Sequence, residues 1–563
     1  LCDYFIAGKM KPCPGIYGKS TIFGQMPDWN PAEIIGNRPK PLAYSLYRYL
    51  IMDHAWRESR RFLGYQSPQS HGLMVQIAGR PYVDVRASFH SLLPSGISPQ
   101  LSEKLVDTYL QRLRDNPHYH DKVEFFIVHS CYDFTFHKAA DQLAGEGFSL
   151  DEIAELRSGL VRITNEIVLD EHGQINHLLH LVDQLQERRQ LWERSDIGDP
   201  QDLLSAVSVL LKDAIVFGTI PFGALARCAF IGNQLLRSLV HTGIISEADY
   251  QQFLNGIETV AGQYTLDMEA YANGQLSMED MCAKYGHLRP GTYDITTPRY
   301  DERPDIYFEV NHNPGHVERK PAFRFSQRQF DRIDAQLAES GLRFNARQML
   351  EFAERSIALR ESVKFEFTKN VSLALKYIGA FGRYYGFGAE EMAFVPIEHL
   401  LTWNQETRAA HFSARLRQLI DEQKYLYQEQ AQMVMPDLIR SPDDLYCVQW
   451  IRSVPNFITG KKIVAEKVCL DGHVSGDAAE LLAGKIVLVE QADPGFEWVF
   501  SRNIAGLVTK YGGVASHMAI RCAELGVPAA IGCGELLYNK LKGSNFIDLD
   551  CGAKTVSPCE GFR

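Results

Sequence analysis

The 563-residue chain is 45% hydrophobic and 23% charged, apolar enough for several packed domains, with two or three the natural expectation. Its formal net charge of −11, from 58 basic and 69 acidic residues, gives no sign of the basic patch a nucleic-acid surface needs. No apolar run of about 18 residues suggests a membrane span, and eleven cysteines without a C-x-x-C pair point to reduced thiols in a cytoplasmic protein, with no structural zinc. The opening Leu1-Cys2-Asp3-Tyr4 has neither an initiator Met nor a signal-peptide pattern, so the sequence reads as the middle of a longer polypeptide.

Residues 1–40 are rich in Pro and Gly and read as an irregular entry segment or linker remnant. From Pro41 to Arg61 the apolar positions Leu42, Leu46, Leu50 and Ile51 fall on one helix face. Residues 73–89 alternate around Gly79-Arg80-Pro81 and predict a hairpin, placing Asp84, Arg86 and His90 on one strand face; 123–136 suggests a further strand. Helical periods dominate 150–280, 325–385 and 405–433. His118, His120, His172, His177 and His180 lack acidic or Cys partners at ligand spacing, so they read as solvated or capping residues and no metal site is expected. Tyr44, Tyr47, Tyr49 and Trp56 suit an apolar ligand or an ordinary core equally. Prolines at 436, 442 and 455 punctuate a linker over 441–460. A small domain over 461–563 then shows short apolar strands at 486–489, 504–508 and 546–549.

The chemistry concentrates after the strand ending at Val508. Thr509, Gly512, Gly513, Ser516 and His517 lead into a helix with Met518, Ile520 and Leu525 apolar. A histidine on a turn at a helix N-terminus sits where backbone N–H groups favour an anion, and two glycines before it let the main chain approach a bulky group. Such a His is a candidate phosphoryl carrier, although a capping Ser beside an incidental His would explain the pair alone. A second candidate lies on the 357–367 helix. There Arg360 and Lys364, four apart, present two cations on one face, which is either a solvated surface or a shared anion site.

Together these residues resemble the phosphoenolpyruvate-utilising enzymes, a family that includes phosphoenolpyruvate synthase, pyruvate phosphate dikinase and rifampin phosphotransferase. Ser516-His517-Met518-Ala519-Ile520 and Glu524-Leu525-Gly526-Val527-Pro528-Ala529 match the family's Ser-His-x-Ala-Ile and Glu-Leu-Gly-x-Pro-Ala segments. The resemblance implies that His517 accepts and donates the phosphoryl group, that Thr509, Gly512, Gly513 and Ser516 position it, and that Arg360 and Lys364 face it. Tyr285-Gly286-His287-Leu288-Arg289 and Pro298-Arg299-Tyr300 are similar to an acceptor-domain segment of the rifampin phosphotransferases, which makes His287, Arg289, Asp294 and Arg299 acceptor-site candidates and His287 the candidate base. Departures are Leu288 for Arg, Tyr300 for Trp, Ala515 where the dikinases carry a Thr, and Ala523 for an Arg that Arg521 replaces.

The implied fold is an α+β multidomain protein. A large, mainly helical acceptor domain with some β spans 41–440, and a small β/β/α phosphohistidine swivelling domain spans 461–563. The implied function is a dikinase-type phosphotransferase that passes a phosphoryl group through His517 to a hydroxyl of a small-molecule acceptor. Mg-ATP would be bound by an ATP-grasp domain or subunit, since no nucleotide fingerprint lies in these residues. Alternatives are a regulatory module that keeps the swivelling domain without catalysis, and a phosphoenolpyruvate synthase-like fragment.

Overall fold

A computed structural model describes the chain except residues 1, 70–71, 196, 310–322, 404–410, 449–452, 471–480, 514–515 and 560–563; Ala515 thus lies outside the described residues. The body is a helical assembly around the Ala346–Tyr384 helix, whose 39 residues run roughly 58 Å at 1.5 Å per residue. Asn345 and Gln348 close its N-terminus as a reciprocal capping box. Against it pack Pro200–Ala214 and Ile220–His241, joined by a π-turn over Ile215–Thr219. Pro221, which has no N–H to give the ladder, follows that turn directly. Taken as one, Pro200–His241 is long and apolar enough to cross a membrane, a stretch the apolar-run reading passed over. Its most apolar window is 56% buried within the protein, and Leu203, Leu210, Leu225 and Leu235 belong to the core.

Four short strands stitch the start of the chain to the end of the body. β1 (Phe23–Gly24), β2 (Met74–Ile77), β3 (Arg80–Asp84) and β4 (Leu438–Ile439) form one antiparallel sheet in the order β2-β3-β1-β4. The predicted hairpin is β2-β3, and its two-residue turn, Ala78-Gly79, has both φ values positive (48° and 75°), as a turn matched to the strand twist requires. Its continuation is not strand. Asp84 accepts a hydrogen bond from the Ala87 N–H at 3.3 Å and caps a helix over Val85–His90, so Asp84, Arg86 and His90 share no strand face. Residues 123–136 likewise hold a short helix, Val123–Phe126, and no described strand. The entry segment is more regular than its composition suggests, with a helix over Cys2–Lys9 and β1 inside the sheet.

The C-terminal sheet has seven strands in the order β11-β10-β6-β7-β8-β9-β5. Its centre is parallel: β6 (Lys462–Leu470), β7 (Ile486–Val489), β8 (Gly506–Thr509) and β9 (Ala529–Ile531). β7 and β8 are buried at every position, which explains their uninterrupted apolar sequence. Antiparallel β10 (Phe546–Asp550) and β11 (Thr555–Cys559) extend one edge, and β5 (Asn456–Ile458) the other. β5 lies within the stretch expected as linker.

The body is not closed on itself. Tyr264, Met281, Tyr285, Tyr300 and Tyr307, from residues 260–308, share one buried cluster with Trp498, Leu507, Met518 and Ile531 of the C-terminal domain. The expected 41–440 unit therefore contributes a segment to its neighbour's core. At that seam a Cβ on Gly495 would come within 1.8 Å of the Arg289 carbonyl oxygen, so only glycine allows the two backbones to meet.

Candidate active site

His517 opens the His517–Leu525 helix directly after β8 and its turn, with Ser516 as the N-cap accepting from the Ala519 N–H at 3.3 Å. Met518, Ala519 and Cys522 bury the other face of that helix. The imidazole is then fixed between two carboxylates from different domains. Its Nε2 lies 2.8 Å from Glu497 Oε2 and its Nδ1 lies 3.7 Å from Glu361 Oε2. Glu497 stands on the neighbouring Pro494–Arg502 turn of the same domain, whereas Glu361 comes from the long body helix.

Each carboxylate is held in place by an arginine. Arg360 donates to Glu361 Oε1 through Nε (2.9 Å) and Nη2 (2.7 Å). Arg521, one helical turn beyond His517, donates to Glu497 Oε1 at 2.6 Å and also bonds Glu524 and Thr265. Arg521 thus also holds Glu524, while position 523 is Ala. Burial pushes the carboxyl of Glu361 up, but Arg360, His517 and Lys364 outweigh it and hold it well below the usual range. Burial likewise works against a charged His517, yet the neighbouring Glu361 carboxylate and the hydrogen bond to Glu497 prevail and raise its pKa to about 9. This docked arrangement favours the protonated form of His517.

His517 opens onto a cleft of about 270 Å³ shared by Arg360, Glu361, Lys364, Glu33, Thr292 and Gly513. Beyond them the walls turn aromatic, with Trp29, Phe125, Phe222 and Phe230. Glu33, on a short helix begun by Pro31, is 5% exposed. Burial raises its pKa to about 7 against the opposing pull of Lys364, the Asn30 amide (3.1 Å) and the Gly513 N–H. It is a carboxyl poised to exchange a proton near neutrality.

The structure brings His517, Ser516, Gly513, Arg360 and Lys364 to one cavity and sets the other predicted residues apart. Thr509 is fully buried, and its Oγ1 accepts from the Gly532 N–H at 3.0 Å. Gly512 has φ 146°, and a Cβ there would meet Ile531 at 2.9 Å, so it serves the packing of its own sheet. Of the acceptor candidates, none lines the His517 cleft. His287 is half-buried, edge-on to Phe365 at 4.6 Å, and desolvation together with Lys369 and Arg299 holds its pKa well below the usual value. Arg289 is buried and donates to the Asp294 and Thr297 carbonyls; burial and Arg299 lower its pKa to about 10. Asp294 caps its own turn through Thr296, and Arg299 forks onto Asp301. These are the internal ties of a loop wedged against the C-terminal domain. Thr292 of that loop does reach the cleft, where it bonds Asp493 at 3.1 Å.

Glu33, Glu361 and Glu497 were not singled out by sequence. Glu361 stands between Arg360 and Lys364 on the 357–367 helix, so its presence was legible and its role was not.

Residues 481–554 match the family model described as the mobile domain of PEP-utilising enzymes. A phosphoenolpyruvate synthase of Neisseria meningitidis is 42% identical over 84 residues, which is 14% of this chain and 10% of that protein. The phosphoenolpyruvate synthase of Escherichia coli is 35% identical over 89 residues, 16% and 10% respectively. Rifampicin phosphotransferase of Bacillus cereus is 25% identical over 279 residues, 44% of this chain and 30% of that protein. The chain spans less than a third of the length of each of these relatives. The two synthase alignments are about the length of the C-terminal domain, whereas the phosphotransferase alignment exceeds it and takes in part of the helical body.

Proposed function

We propose that this chain, whose residues 481–554 match the mobile domain of PEP-utilising enzymes, is a phosphotransferase whose His517 carries a phosphoryl group to a hydroxyl bound in the 270 Å³ cleft. The observation that supports it is the meeting of His517 with the Arg360–Lys364 helix face across one cavity. The phosphoryl donor is Mg-ATP, held by an ATP-grasp domain or subunit.

In the first transfer a neutral ring nitrogen of His517 attacks phosphorus in line, and the N–P bond forms as the P–O bond to the nucleotide breaks. Docked between two carboxylates, the ring holds its proton too tightly for that attack. When the C-terminal domain leaves the Arg360–Lys364 helix together with the 260–308 segment that shares its core, Glu361 stays behind while Glu497 travels with the ring, so the proton is released more readily at the ATP site. In the second transfer the hydroxyl oxygen attacks the phosphoryl group, the N–P bond breaks, and Arg360 and Lys364 stabilise the oxygens of the transferring group. Glu33 takes the hydroxyl proton; it shares the cleft, which His287 does not. The freed imidazole returns to a site that favours its cation.

A chase experiment tests this reading. Chain labelled on His517 is mixed with hydroxyl compounds, and label loss is followed. Arg360→Ala and Lys364→Ala should each slow transfer by about 10²–10³-fold while leaving His517 labelled; unchanged transfer rates would remove that helix from the chemistry.

A further inference from the structure

Two side chains on the wall of the cleft keep buried N–H groups that find no partner among the described residues. Arg227, whose side chain is 3% exposed, donates through Nη1 to Glu124 at 2.6 Å, while its Nε and Nη2 find no partner among the described residues. Its guanidinium lies 4.0 Å from the centroid of the Phe230 ring, which fixes its plane. Trp29 lines the same cavity, 6.0 Å from Phe222, and its buried Nε1 is also unpartnered. The neighbouring charges do not fill the gap, because Arg60 pairs with Asp28, Lys122 with Asp121, and Glu124 with Arg227. Charge is balanced there, and what the wall lacks is oxygen.

A buried donor left without an acceptor forfeits its hydration with nothing in return. Two such side chains lining one aromatic cavity are explained if a bound molecule supplies the missing oxygens. We propose that the far end of the cleft recognises a carbonyl or carboxylate oxygen on a flat, apolar hydroxyl compound, with Arg227 and Trp29 donating to that oxygen and Phe222 and Phe230 packing on its rings. The inference rests on the phosphotransfer reading only for which end of the molecule faces His517. At about 270 Å³ the cleft lies near the lower limit of ligand pockets and suits two fused rings.

Calorimetric titration of the full chain with 6-hydroxy-2-naphthoate, its methyl ester and 2-naphthol tests the proposal. The acid or the ester should bind at least ~10-fold more tightly than 2-naphthol, as a hydrogen bond to a charged donor implies. The acid exceeding the ester identifies a carboxylate site, and equal affinity a carbonyl site. The preference should vanish in R227M and in the double variant R227M/E124Q, which leaves no unpaired buried charge and so guards against a folding defect. Equal binding of all three compounds, no binding of any, or a preference that survives in the double variant would overturn the proposal, the site then being only hydrated. The two readings fail separately. Naphthoate that binds through Arg227 but is never phosphorylated counts against the phosphotransferase. Transfer to hydroxyl compounds regardless of their oxygen substituent counts against the Arg227 site.

Discussion

Two histidines lie along the seam between the body and the C-terminal domain, and they are held in opposite states. His517 stands between the carboxylates of Glu361 and Glu497 beside an open cleft, with its proton affinity raised. His287 lies in a closed loop against Phe365, with its proton affinity driven down by burial and by Lys369 and Arg299. Burial is common to both and pushes both the same way. What differs is the sign of the surrounding charge and whether a cavity reaches the ring. A histidine in a motif-like run is thus only as useful as the space and the partners its fold gives it.

The comparison can be sharpened first at Glu33. Glu33→Gln should slow transfer to a hydroxyl by about 10²-fold and flatten the rise in rate through pH 7, the region where the carboxyl ionises. Stability should move the other way. The native carboxyl has its pKa raised from 4.5 to about 7, so the fold is favoured below pH 4.5 and loses that advantage as pH rises through 7. At pH 8 the Gln variant should therefore be more stable by up to ~3 kcal/mol in denaturant melts. A rate that keeps its pH limb in the variant would assign the base elsewhere.

A medium effect is expected at Gly495, where the two domains touch through backbone. Gly495→Ala would drive a methyl group into the Arg289 carbonyl, and should cost about 1–3 kcal/mol in thermal unfolding. An unchanged melting temperature would mean that the seam is not closed as described. The smallest effect belongs to His287. His287→Leu should change the transfer rate by less than about twofold, since its ring does not line the cleft and the altered energy stays within ~0.5 kcal/mol. A loss comparable to that of Glu33→Gln would restore it as the base.

The sequence was most legible where one local rule decided the outcome. Buried parallel strands at Ile486–Val489 and Gly506–Thr509, the Ser516 cap and the Arg360/Lys364 helix face each follow from period, cap or spacing. The mainly helical character of the chain, 58% helical as a whole, was equally clear. Tertiary choices were not. The Pro-rich start looked irregular because its strand is two residues long and exists only by pairing with residues 83–84 and 438–439. Residues 260–308 gave no sign that their tyrosines complete another domain's core. At the site, Glu33 is separated from His517 by nearly five hundred residues of chain, so no spacing links them. Thr509 and Gly512 lay close in sequence to His517 yet point into the sheet, which the alternation of a strand leading to a turn left open.

The central claim is that His517 carries the phosphoryl group, and the most direct test is to look for it there. The chain is incubated with an ATP-grasp domain or subunit and with γ- or β-labelled Mg-ATP, then examined for acid-labile, base-stable label. Label on the wild-type chain that disappears in His517→Ala is the predicted result. Label that persists in His517→Ala would contradict the account.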